Sequence, residues 1–179
     1  MTTFAVAPLR KLARVSVVGL LLILPIALIG LGVVYSRPTG AGVWFALSAT
    51  LAVFVLIAAA TARRAIALEA DRLTVKAAIY TRRVMVSEID LERARVLDLA
   101  EHPELRPGLK TNGFALPGFS AGHFRGRDKR KMFCLLTDNR VLDLPLIDGS
   151  RLLISPERPQ AVLDALRQRA SGGRLADGP

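Results

Sequence analysis

The feature that most constrains this chain is the stretch from Val15 to Ala62. It holds two long apolar runs, Val15 to Tyr35 and Val43 to Ala62, separated by a short polar break, and it contains no acidic residue. At about 1.5 Å rise per residue, each run makes a helix about 30 Å long, the thickness of a bilayer's hydrocarbon core. A core helix of a soluble protein would show a polar stripe, and too little chain remains to wrap two such helices on every side. Pro25, Gly19, Gly30 and Gly32 would weaken a helix in water but are tolerated in lipid. Small residues four apart, Ala46 with Thr50 and Ser48 with Ala52, allow close helix packing. The expectation is a two-helix transmembrane hairpin: an N-terminal segment 1–14, helix 15–35, external loop 36–42 and helix 43–62.

So short a link, with Pro38, Gly40 and Gly42 in it, makes the two helices antiparallel neighbours and puts both chain ends on one side. Arg10, Lys11 and Arg14 precede the first helix, Arg63 and Arg64 follow the second, and Arg37 alone lies in the link. By the positive-inside rule both termini are expected in the cytoplasm and the link outside. Tyr35 and Trp44 bracket the link as interfacial aromatics do. The first run is longer than a signal-peptide core and lacks a small-x-small cleavage site, so it is expected to stay as an anchor in the cell (inner or plasma) membrane.

All 15 Asp and Glu lie beyond residue 64, so the net charge of +10 owes more to membrane topology than to a nucleic-acid surface. No nucleic-acid partner is expected. A single cysteine, Cys134, permits no intramolecular disulfide.

Beyond Ala65 the hydrophobic period shifts from helical to two. Ile66, Leu68, Leu73 and Val75 alternate around a turn at Ala70 and Asp71, predicting a hairpin, and strands follow at Tyr80 to Val86 and Arg93 to Leu99. The stretch His102 to Gly118 carries so many Pro and Gly residues that it is expected to be irregular. Phe119 to Arg125, Lys131 to Thr137, Arg140 to Leu146 and Arg151 to Ile154 read as an antiparallel meander with turns at Gly126 to Arg130, Asp138-Asn139 and Asp148-Gly149. Val162, Leu163 and Leu166 give an apolar face to a closing helix, Pro159 to Ala170, and Phe133, Leu135 and Leu144 are expected to face it. The tail 171–179 is expected to be disordered.

In order along the chain stand Ser87-Glu88-Ile89-Asp90, Ala94-Arg95-Val96, Thr111-Asn112-Gly113, Leu116-Pro117-Gly118, Gly122-His123-Phe124, Thr137-Asp138, Leu144-Pro145 and Leu153-Ile154-Ser155-Pro156. This ordered set resembles the bacterial pleckstrin-homology (PH)-like domain family over about Leu68 to Arg167. The resemblance implies that 65–170 is a mainly β PH-like domain: a strongly bent antiparallel barrel or sandwich of about seven strands, plugged by a C-terminal α-helix. Arg158 departs from the pattern, in which an acidic or capping residue would precede the proline.

No enzyme, cofactor or metal site is expected. His102 and His123 have no partner at metal-ligand spacing. Glu101 and Glu104 have no cause to be desolvated. Cys134 sits in the apolar run Met132 to Leu136 and reads as a buried thiol. Gly113, Gly118, Gly122 and Gly126 open no helix and so form no phosphate loop. One feature rises above this background: Arg125, Arg127, Lys129, Arg130 and Lys131 crowd one turn with Asp128 as its only acid. Two functions follow as expectations: binding of a protein partner, or of a second copy as a homo-oligomer, by the barrel surface at the membrane; or recognition of anionic lipid headgroups by the basic hairpin 125–131.

Overall fold

The computed structural model describes residues 2–9, 11–36 and 40–176. The first apolar run is helical but is not one α-helix. Helix α1, Lys11–Val18, passes through a π turn, Gly19–Ile23, into α2, Leu24–Ser36. Pro25 accounts for the break, because it has no N–H for the carbonyl four residues back and its ring crowds that carbonyl, which a wider turn relieves. Helix α3, Gly40–Ala62, is unbroken. Among the described residues it is the one helix long and apolar enough to cross a membrane, and none of its apolar window is buried. The first run, as the broken helix α1–α2, packs against it. Arg10 and Arg37 to Thr39 lie outside the described residues, as does the side chain of Tyr35; Trp44 is exposed on α3.

The segment ahead of the helices carries structure of its own. Strand β1, Thr2–Phe4, pairs antiparallel with β2, Arg64–Glu69, setting Thr2 opposite Leu68 and Phe4 opposite Ile66. The Ala7 amide then donates to the Ser155 carbonyl at 2.9 Å. A bare Thr-Thr-Phe is too short to announce itself as a strand; it forms because β2 offers it an open edge. The chain therefore starts in the β domain, enters the helices and returns. Strands β3, Arg72–Ala77, and β4, Tyr80–Met85, complete a first sheet in the order β1-β2-β3-β4. Its two tight turns place Ala70 (φ 41°) and Ala78 (φ 56°) in the left-handed region.

The second sheet runs β5-β9-β10-β8-β7-β6, from β5 (Arg95–Asp98), β6 (Leu109–Leu116), β7 (Phe119–Arg125), β8 (Lys131–Leu136), β9 (Arg140–Pro145) and β10 (Arg151–Ile154). Two expectations are corrected here. First, the punctuated stretch 102–118 contains β6, an exposed edge strand paired with β7 and bulged near Thr111, whose polar Lys110, Thr111 and Asn112 hide it from an apolar-period search. Second, β8 and β9 form no hairpin: β10 lies between them, parallel to β8 and antiparallel to β9. The buried Ser155 holds that arrangement. Its amide donates to the Leu135 carbonyl at 2.9 Å, while its hydroxyl accepts from the Thr137 amide at 3.3 Å and donates to the Asp138 carbonyl at 3.2 Å.

The main core lies between the sheets. Ile66, Leu68, Leu73 and Val75 meet Phe119, Phe133, Leu135, Leu144 and Leu152, and Val162, Leu163 and Leu166 of helix α4 close one end. Helix α4 spans Pro159–Ala176, so it continues through most of the tail expected to be disordered. The Ser171 hydroxyl donates to the Arg167 carbonyl, and residues 177–179 are outside the description. Arg158 does not prevent the start, since its carbonyl accepts the Val162 amide and Pro159 needs no partner for its nitrogen. A second cluster, including Leu97, Leu105, Phe124, Met132, Cys134 and Leu153, lies on the other face of the second sheet. Strand β8 is thereby buried on both faces, which explains its unbroken apolar sequence.

Candidate functional site

The basic hairpin is a tight structure. Lys129 N–H donates to the Gly126 carbonyl and Gly126 N–H to the Arg130 carbonyl, each at 3.0 Å, and Lys129 takes φ 62°. A turn followed by one left-handed residue is the common three-residue hairpin connection, here with lysine where glycine fits best. Asp128 caps the Arg130 amide at 3.1 Å and pairs with the Arg130 guanidinium at 3.5 Å. All five basic side chains are exposed.

Two of the five share a cavity with other strands. Arg125 and Lys131, opposite each other where β7 meets β8, line a cavity of about 360 Å³ with Arg82 of β4 and Arg151 of β10; its lining also includes the buried Phe133 and Leu152. Arg127 and Lys129 are not in that lining. The cavity also holds Asp148, whose carboxyl the Ser150 hydroxyl and amide hold below the usual range, with Arg82 and Lys131 adding to the effect. The ring of His123 stands edge-on to Phe133 (5.0 Å between centroids) and Tyr80 (5.9 Å). Partial burial, and then the charge of Arg82, push its pKa down. Arg151 is turned partly away, pairing at 2.9 Å with the buried Asp143, whose pKa burial raises against the pull of Arg151 and Arg95. What results is an anion-accepting rim over an apolar floor.

Sequence reasoning missed Arg82 and Arg151. A signal for Arg82 existed: along β4, Tyr80, Arg82 and Val84 share the inward phase, so an arginine stands where the period calls for an apolar residue.

A wider groove, about 1060 Å³, opens where the β2–β3 turn, the loop after β4 and the end of α4 meet, with Asp71, Asp90, Glu92, Ile89, Ile147 and Ala170 in its lining. Ile147 is exposed. Three carboxylates against one guanidinium, that of Arg169, leave the rim net acidic around apolar side chains, which suits a basic, apolar peptide segment.

The remaining sequence candidates stay apart. His102 Nδ1 lies 3.1 Å from Glu104 Oε1 in an exposed loop. Glu104 is held below its usual range, first by a backbone hydrogen bond. Glu101 has no part in that pair. Cys134 is fully buried, which drives its thiol pKa far upward. Among the described residues, no three His, Cys, Asp or Glu side chains cluster as a metal site would require.

Two sheets packed face to face, one end closed by a C-terminal helix and a cationic cavity lined from both sheets, define a small β module of PH-like architecture. The family model for the bacterial PH domain matches residues 64–170, well over half of the chain, and the chain belongs to that family. No curated protein and no solved structure matches it. A PH-like domain suggests a binding or adaptor role.

Proposed function

We propose that this is a non-enzymatic integral membrane protein in which the helices on either side of residues 37–39 form a hairpin, both termini are cytoplasmic, and the PH domain binds a protein partner, or a second copy of itself, at the membrane surface. The observation that carries this reading is continuity: α3, apolar and unburied, runs into β2 with Arg63 alone between them. The wide groove gives the partner a place, and its charge calls for a basic segment. The test of topology is cysteine accessibility, for which the buried Cys134 gives no background. Thr39→Cys should react with an impermeant maleimide in intact cells, and Ser171→Cys only after lysis. The reverse pattern sinks the proposal.

The cavity rim favours a second reading, in which Arg82, Arg125 and Lys131 hold an anionic lipid headgroup. No carboxylate among the described residues forms an ion pair with any of the three. The full chain in neutral detergent should then gain thermal stability on addition of phosphatidylglycerol, by mass action, and lose that gain at high salt. Replacing the three by Gln should abolish the gain, whereas Gln at Arg127 and Lys129, outside the cavity, should not. If the second pair matters more, the exposed hairpin tip, not the cavity, is the lipid site.

A further inference from the structure

We infer that the turn Ala78-Ile79 is a second contact with the bilayer, an apolar tip seated in the interfacial layer beside the end of α3. The inference rests on the membrane reading above. Helix α3 ends at Ala62; the carbonyl of the next residue, Arg63, accepts the Ala78 amide at 3.0 Å, and Arg64 stands opposite Ala77 in the ladder. The β3–β4 turn is thus tied to the point where the chain leaves the helix, and it cannot move away without breaking the first sheet. Its tip is Ile79, 62% exposed.

The other turn of the same sheet serves as an internal control. Both turns have two residues, and both begin with an alanine at positive φ. The second residue is Asp71 at the end remote from α3 and Ile79 at the end beside it. Two-residue turns in water favour Gly, Asn and Asp, which satisfy the local backbone and leave no apolar surface exposed. An isoleucine meets neither condition. The substitution follows the sheet's polarity: polar at the far end, apolar where the helix leaves. Exposed Arg63, and Lys76 just before the turn, flank Ile79 with positive charge suited to headgroup phosphates. An apolar tip with a cationic surround is the composition of an interfacial anchor, which enters about 5 to 10 Å into the headgroup and acyl boundary.

Two contacts, α3 and Ile79, fix more than one. They set the first sheet upright on the membrane, with the Ala70-Asp71 turn, and hence the wide groove that turn helps to line, facing the cytoplasm.

The experiment uses the full chain in phosphatidylcholine/phosphatidylglycerol vesicles containing acyl-brominated lipid. Trp44 is the sole tryptophan and lies on α3, so the parent protein reports whether α3 is in lipid. In a Trp44→Phe background, Ile79→Trp should show blue-shifted emission and several-fold stronger quenching than Asp71→Trp. Should the larger ring disturb the turn, Ile79→Cys carrying an environment-sensitive dye gives the same reading. Water-like emission at position 79, or equal quenching at 79 and 71, overturns the inference while a quenched Trp44 leaves the membrane reading standing. An unquenched Trp44 overturns both.

Discussion

The first sheet takes its strands in chain order from β2 to β4, each joined to the next by a two-residue turn, whereas the second separates β8 from β9 with a strand that arrives later in the chain. The first buries its large apolar side chains on one face, with only the small Ala67 and Thr74 buried on the other; the second, at β8, buries large apolar side chains on both. Local pairing closes small loops and needs little outside support, while an inserted parallel strand must await contacts distant in sequence. The difference shows in how each sheet is pinned. Backbone turns suffice for the first, and the second needs a buried hydroxyl, that of Ser155, to hold its turn.

The largest expected effect is at the seam where the two meet. Gly122 of β7 has φ 109°, and a Cβ there would come within 2.7 Å of the Gly113 Cα, 2.8 Å of the Asn112 carbonyl oxygen and 2.9 Å of the Tyr80 ring. Tyr80 belongs to the first sheet and Asn112 to the second, and they join through a 2.7 Å hydrogen bond. Gly122→Ala combines backbone strain with overpacking, and should cost about 2 to 6 kcal/mol in urea unfolding of the full chain in detergent. A cost under about 1 kcal/mol would mean the two sheets are not held closely together at this point.

Next in size is the plug. Leu166 is fully buried in the cluster that both sheets share. Leu166→Ala should cost about 2 to 5 kcal/mol, and a single cooperative transition should persist if the two sheets unfold as a unit. Two separated transitions would instead make the first sheet an independent unit.

The comparison also separates what is legible in the sequence. Ile66, Leu68, Leu73 and Val75 alternate cleanly because the residues between them on the other face, Ala67 and Thr74, are small even where they are buried, so the first hairpin could be read directly. Phe133, Leu135 and Leu144 could be placed in the core, and the Pro159 helix followed from its apolar spacing. Strand β1 could not be read, because three residues with no pattern gain their structure from an edge elsewhere, and β6 could not, because an exposed edge strand needs no apolar period. The order of β8, β9 and β10 was hidden for another reason: the turn residues Asp138-Asn139 are the same whether the hairpin closes or opens, and Ser155, far along the chain, makes the choice. The candidate site divides the same way. Arg125 and Lys131 were visible as a charge run, but their cavity partners Arg82 and Arg151 come from two other strands and meet them only through the tertiary fold.

His123, whose ring bridges Tyr80 of the first sheet and Phe133 of the second, should make that contact pH-sensitive. Burial and Arg82 lower its pKa below the ordinary 6.5. The folded state therefore prefers the neutral ring: its contribution is fully present above the unfolded pKa and is lost as the pH falls through the depressed folded-state value. Stability of the parent should decline as the pH falls below the ordinary 6.5 more than that of His123→Phe, which keeps a ring and has nothing to titrate. Parallel profiles would show that the histidine is solvated in both states.

The smallest effects test whether the tight turns carry the strain their backbone implies. Ala70 in the first sheet and Lys129 in the second both stand at positive φ with exposed side chains. Glycine removes the Cβ clash, about 1 to 2 kcal/mol, and adds back about 0.5 to 1 kcal/mol of unfolded-chain entropy. Ala70→Gly and Lys129→Gly should therefore each stabilise by about 0.5 kcal/mol. Ala78 has the same backbone but a fully buried methyl group. There the loss of about 0.8 kcal/mol of apolar burial cancels the relief, so Ala78→Gly should be neutral or slightly destabilising. Unfolding midpoints of the three variants, measured together in detergent, decide the matter: if Ala78→Gly stabilises as much as Ala70→Gly, the methyl group beside Arg63 is not packed as described, and the seam between helix and sheet is looser than the turn at the far end.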